Sequence, residues 1–229
     1  ANIVHAQETV DTWQQNYEQV RIDAPAVDVA FLLPDTAIML GAVPTRAVFD
    51  QVTVLRDLTD LDYLDDTMVA EGALAGYRVL VLAHATVVEA PTLAAIDAWL
   101  ALGGILVLLG DATIESVEGD VWIPHPGTAV VRCGLFGDDP AANEVVATAV
   151  RDGLAASGYH LIDGVLDRVY VSTVADGMVI LNHADGVISR TFRTPDGIQT
   201  AVVDLPANAI TRIAIEPDRA QPSTGDVLA

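Results

Sequence analysis

Three nearly unbroken apolar runs, at residues 27–33, 77–83 and 105–109, constrain this chain more than any other feature. A strand with one wet face alternates apolar and polar residues. A run that is apolar at every position suits a strand buried on both faces, as in a parallel sheet covered by helices. The intervening sequence fits that reading. Pro91 opens a helix with Leu93, Ile96, Trp99 and Leu100 on one face, and Gly103-Gly104 closes it. Residues 52–55 form a short β-branched run that reads as a further strand, residues 128–133 read as another, and 140–156 read as a helix. The expectation is an α/β three-layer sandwich over residues 24–158.

After Gly158 the pattern changes. Residues 169–174, 178–181, 187–192, 198–203 and 210–215 are short, β-rich and separated by turn residues. Asp176-Gly177, Asp185-Gly186 and Pro195-Asp196-Gly197 read as hairpin turns. The expectation is a small antiparallel β-sandwich over residues 159–216, then a loose tail over 217–229. At the other end, residues 1–23 read as a helix with Ile3, Ala6, Val10, Trp13, Tyr17 and Val20 on one stripe. That stripe must lie against the chain's own sheet, the favoured reading, or against another chain. In the second case Trp13 and Tyr17 are the interface residues.

Charge narrows the function classes. The 229 residues carry 32 acidic and 11 basic side chains, a formal net charge of −21, and every basic residue is Arg. Charge of that sign repels phosphate, so no nucleic acid and no anionic membrane is expected as a partner. No apolar run reaches the roughly 18 residues of a membrane span, and no basic-then-apolar leader opens the sequence. The compartment stays open between a cytoplasm of high salt and a secreted mature chain. Two origins fit the acidity: a base composition that disfavours Lys, or adaptation to high salt, where acidic surfaces keep a protein soluble. Loss of Lys together with scarce Arg favours the second. The unfolding midpoint is therefore expected to rise between low and molar NaCl, and equal stability without salt defeats the halophilic reading.

Candidate chemistry is sparse. Cys133 is the single cysteine, and Cys133-Gly134-Leu135-Phe136-Gly137 offers glycines. The next helix, however, starts near Pro140, too far for its amides to serve the sulfur, so a buried structural thiol is expected. His5, His84, His125, His160 and His183 form no paired metal-ligand spacing, so no metal is expected. His84 follows the run at 77–83, at the sheet edge where ligands of open α/β sheets bind. Asp111 and Glu115 follow the run at 105–109 and could act as paired carboxylates. Asp57, Asp60, Asp62, Asp65 and Asp66 crowd one segment without an EF-hand order, and read as a solvated acidic face. No phosphate-cradling glycine motif is present, and no cofactor is expected.

The stretch Leu74-Ala-Gly-Tyr-Arg-Val-Leu-Val-Leu82, the helix ending in Gly103-Gly104 and the strand at 105–109 resemble the class I glutamine amidotransferase-like fold. More narrowly, they resemble the version that forms the trimerisation domain of glycoside hydrolase family 42 β-galactosidases and related glycosidases. Residues 26–33 match that family's first strand. Val169-Tyr170-Val171 and Met178-Val179-Ile180-Leu181-Asn182-His183 are similar to its closing β-sandwich. The resemblance implies a flavodoxin-like three-layer sandwich followed by that sandwich. It also implies what is missing. True amidotransferases carry a nucleophilic Cys on a Gly-x-Cys-x-Gly elbow after the Gly-Gly helix and its strand, where this chain reads Leu109-Gly110-Asp111-Ala112-Thr113. In the glycosidases the catalytic carboxylates lie on a preceding (β/α)8 barrel, which needs about 250 residues.

The leading expectation is a non-catalytic assembly or accessory module of a glycoside hydrolase. Its implied partners are a second copy of the chain or a parent barrel. A small hydrolase using His84, Asp111 or Glu115 is the second reading. A carbohydrate-binding module, with Tyr159, Tyr170 and Phe192 as stacking aromatics, is the third.

Overall fold

The computed structural model describes residues 7, 10, 11, 14, 27–156, 161–163, 169–174, 177–193 and 202–214. The first described strand, β1 (Val29–Leu32), leads into two helices, α1 (Asp35–Met39) and α2 (Thr45–Leu55). Next come β2 (Asp62–Leu64), α3 (Asp66–Ala70), a 3-10 turn at Ala73–Gly76 and β3 (Val79–Ala83). The short β4 (Val87–Val88) precedes α4 (Ala90–Ala101) and β5 (Ile105–Leu109). Then follow β6 (Ile114–Ser116), β7 (Val121–Trp122), β8 (Ala129–Cys133) and α5 (Pro140–Ala156). Six further strands complete the described chain: β9 (Leu161–Asp163), β10 (Val169–Val174), β11 (Gly177–Asn182), β12 (Ile188–Arg193), β13 (Val203–Leu205) and β14 (Ala209–Ala214).

Five strands form a parallel sheet in the order β2-β1-β3-β5-β8. Its centre is buried on both faces, as the continuous apolar runs require. Val29, Phe31, Val79, Val81, Val107 and Leu109 point to one side, onto Val48, Val52 and Leu55 of α2 and Val150 and Leu154 of α5. Ala30, Leu32, Leu80, Leu82, Leu106 and Leu108 point to the other, onto Leu93, Ile96, Trp99 and Leu100 of α4. Adjacent residues on each strand thus serve opposite helical layers.

Residues 52–55 are a correction. They are the last turn of α2, and the second strand is β2 instead. Val48, Gln51, Val52 and Leu55 are buried at spacings of three and four, so one helix face packs on the sheet. That packing overrides the β preference of branched side chains. Gln51 also ties α2 to the loop after β8. Its Nε2 donates to the Phe136 carbonyl at 3.0 Å and its Oε1 accepts from the Phe136 amide at 2.8 Å, across 85 residues of sequence.

Beyond α5, two three-stranded antiparallel sheets, β10-β11-β14 and β13-β12-β9, bury Val169, Val171, Met178, Ile180 and Leu205 in one cluster. β10 and β11 pair across residues 175–176, as a hairpin does. Asp185-Gly186 is a second correction. It joins strands of different sheets, because β11 pairs with β10 and β14 while β12 pairs with β13 and β9. Buried Asn182 holds this crossing. Its Oδ1 accepts from the Ala184 amide at 2.9 Å, and its Nδ2 lies 2.9–3.0 Å from the carbonyl oxygens of Gly186, Leu205 and Pro206.

Trp13, Tyr17, Tyr159, the Pro195-Asp196-Gly197 turn and the tail lie outside the described residues, as does the Phe192 side chain. Of the N-terminal stripe only Val10 is described; it is helical and exposed.

Candidate functional site

All five parallel strands end on one edge, and the loops there hold the three strand-end candidates. β3 ends at Ala83, and His84 turns the chain with a φ of 59°, a left-handed conformation uncommon for a residue with a side chain. Its Nε2 is buried and meets no protein partner. It lines a small space of about 20 Å³ between Leu82, Leu108, Gly110 and Ile114, room for about one water and no substrate. Burial holds the imidazole below its ordinary pKa, so it is neutral at neutral pH.

Asp111 lies in a different space. Gly110 follows β5 at a φ of 93°, and exposed Asp111 lines a recess of about 260 Å³ with Thr113, Trp122 and Arg132. Ala112 and Ile114 border both spaces. Glu115 lies on β6 with its side chain in solvent, and lines neither. The three residues therefore share an edge and do not converge on one cavity. A larger recess of about 440 Å³, lined by Tyr77, Arg78, Trp99 and Gly104, opens at the opposite edge of the sheet, where β3 and β5 begin.

The turn after β5 also differs from a nucleophile elbow in shape. The residue with positive φ is Gly110, and the chain continues into β6 with no intervening helix. No ring of helix N-terminal amides is therefore aimed at a developing anion. Cys133 ends the neighbouring β8. Its Sγ lies 3.7 Å from the Leu108 carbonyl, and burial pushes the thiol up to about 11. Such a sulfur is protonated at neutral pH and a poor nucleophile.

The acidic segment is the third correction. It is divided among separate partners and is not one solvated face. Asp60 is buried and pairs with Arg56, Asp62 accepts from the Tyr77 hydroxyl at 2.9 Å, and the Asp65 carboxylate caps α3 through the Met68 amide. Asp66 is 4% exposed; its Oδ2 accepts from the Thr36 hydroxyl at 2.6 Å, and the carboxyl of Asp35 lies within hydrogen-bonding reach. This Asp35–Asp66 pair, at the ends of β1 and β2, is the feature that sequence reasoning missed. Asp66 and its hydrogen-bond donor Thr36 are 30 residues apart, and nothing in local spacing announces the pair. Among the described residues no group of three His, Cys, Asp or Glu side chains is placed to hold a metal ion.

No protein-family model matches the sequence, and no curated protein matches it. Solved structures do share its fold. The exo-carrageenase GH42 from Bacteroides ovatus superposes with a TM-score of 0.54 at 9% identity, over 82% of this chain and 29% of that one. A catalytic mutant of a GH42 β-galactosidase from G. stearothermophilus gives 0.51 at 10% identity, over 84% and 40%. The β-galactosidase from Bacillus circulans sp. alkalophilus gives 0.50 at 13%, over 82% and 41%. The chain therefore has a fold found in part of GH42 glycoside hydrolase chains, and it spans well under half the length of each.

Proposed function

We propose that the chain is a non-catalytic assembly or accessory module of a glycoside hydrolase of the β-galactosidase kind. In this reading residues 24–158 form a flavodoxin-like, amidotransferase-like α/β unit whose five-strand order supplies a rigid platform. Residues 159–216 form the sandwich that braces it, and the barrel that would carry the chemistry lies outside the matched region.

The observation that carries the reading is the asymmetry of the fold match: 82–84% of this chain is accounted for by only 29–41% of each GH42 chain. The empty elbow at Gly110-Asp111 supports it, as does the separation of His84, Asp111 and Glu115. An assembly role gains support from the sheet edge at β2. There Tyr63 and Phe49 pack edge-on, with ring centroids 6.4 Å apart, and both remain exposed. Large apolar side chains grouped at a sheet edge are a common feature of surfaces that bind another chain.

Light scattering tests the proposal directly. The chain is expected to form a defined oligomer at high micromolar concentration, and a strict monomer in both low and molar salt rejects the assembly role. A screen of ester, amide and glycoside substrates, with Asp111→Asn as control, tests its non-catalytic part. Turnover that disappears on that substitution replaces the module by a hydrolase.

A further inference from the structure

The Asp35–Asp66 contact has an unbalanced set of donors. Asp66 Oδ2 is satisfied by Thr36 Oγ1, and the Thr92 hydroxyl, which also lies near the Asp66 carboxyl, commits its one proton at 3.0 Å to the Asp66 backbone carbonyl. Asp35 Oδ1 takes the Thr36 amide at 3.0 Å. Asp66 Oδ1 remains, fully buried and without a donor, in a residue 4% exposed. Ionised carboxylates only accept, so a buried Asp66 carboxylate with no donor to Oδ1 leaves an oxygen unsatisfied and sets it beside the like charge of half-buried Asp35. A protonated carboxyl supplies the one O–H that is missing.

We propose that Asp35 and Asp66 bind a single shared proton, and that this proton latches the turn after β1 to the first turn of α3. Through Thr92 the latch extends to the start of α4, so three loops at the strand-end edge are fastened at one point. A metal ion is a poorer occupant. Hard divalent cations take six or more oxygen ligands, and two carboxylates with a committed hydroxyl fall short.

The neighbouring charges leave the pair isolated. On the elements packed against α3 and α1, Asp65 is committed to the Met68 amide and Asp97 to the Trp122 indole, while Glu71 and Glu89 are exposed. Burial first, and then Asp35, raise Asp66 from 3.8 to about 6. A folded-state pKa raised in this way stabilises the fold below about pH 4, and that stabilisation is lost as pH rises through about 6.

The test uses the full chain in 1 M NaCl, which screens the general repulsion of an acidic surface. Side-chain carboxyl carbon resonances are followed from pH 3 to 8, and unfolding is measured at pH 5 and pH 7.5 for wild type, Asp66→Asn and Asp35→Asn. One aspartate of the wild type is expected to titrate near pH 6. Its folding constant relative to Asp66→Asn should fall about tenfold between the two pH values. Either asparagine supplies the missing N–H donor, so both variants should lose that dependence. Ordinary titration of every aspartate near pH 4 overturns the proposal. So does an Asp66→Asn profile parallel to wild type, or stabilisation of wild type alone by millimolar CaCl2 at pH 7.5. The carboxyl titration decides the matter even if the variants fail to fold.

Discussion

Asn182→Leu destabilises the protein by about 3 kcal/mol, the largest effect expected of any single polar substitution in it. Leucine matches asparagine in shape and keeps the packing of a fully buried position. It strips the partner from the Ala184 amide and from the Gly186, Leu205 and Pro206 carbonyls at once. Gly186 and Pro206 are exposed and can turn to water, whereas the contact with the Leu205 carbonyl is buried. Stranding a buried polar group costs about 1–3 kcal/mol, and the partial losses at the other three add to it. Urea unfolding followed by circular dichroism measures the loss, and native-state amide exchange should place it at β11–β13. A loss under about 1 kcal/mol would show that the crossing between the two sheets does not depend on this side chain.

Gly104→Ala costs a comparable amount, about 3 kcal/mol, by a steric route. A Cβ at this position would lie 2.4 Å from the Trp99 ring, inside any distance that carbon atoms tolerate. The ring cannot swing away cheaply. It is 8% exposed, packed with Leu80, Leu106 and Leu100, and its Nε1 donates to the Tyr77 carbonyl at 3.1 Å. The neighbouring Gly103 is constrained differently, by a φ of 101° that other residues rarely adopt. The paired glycines that end α4 thus have separate physical reasons. Shrinking the ring should relieve the clash, so Gly104→Ala in a Trp99→Leu background should cost much less than in wild type. Equal costs in both backgrounds would refute the steric account.

Much of the framework was readable because burial on both faces leaves a plain mark. Residues 29–32, 79–83 and 105–109 had no polar position to confuse the period, and Pro91 and Gly103 punctuated the helix between the last two. The failures have a common cause in tertiary partners. Val52 and Val54 read as strand because branching is a local property, while the sheet that buries Val52 is not. β2 hid inside the aspartates because an edge strand of three residues, two of them exposed, shows no apolar run. The Asp185-Gly186 turn looked like a hairpin, since the sequence does not say which sheet the next strand joins. At the strand-end edge the positions of His84, Asp111 and Glu115 were legible. Their division between two spaces depends on how Ala112 and Ile114 pack, and the Asp35–Asp66 pair depends on a fold that brings Thr36 to Asp66 across 30 residues.

The amide of Gln51 has a consequence for how the molecule is made. Its two bonds to Phe136 span 85 residues, and the sheet's last parallel pairing, β5 with β8, uses residues just before that point. A ribosome adding about 5–20 residues per second therefore leaves α2 without this partner for roughly 4–17 s. Until then one flank of the nascent sheet has no cover, and it is in that interval that a chaperone has something to hold.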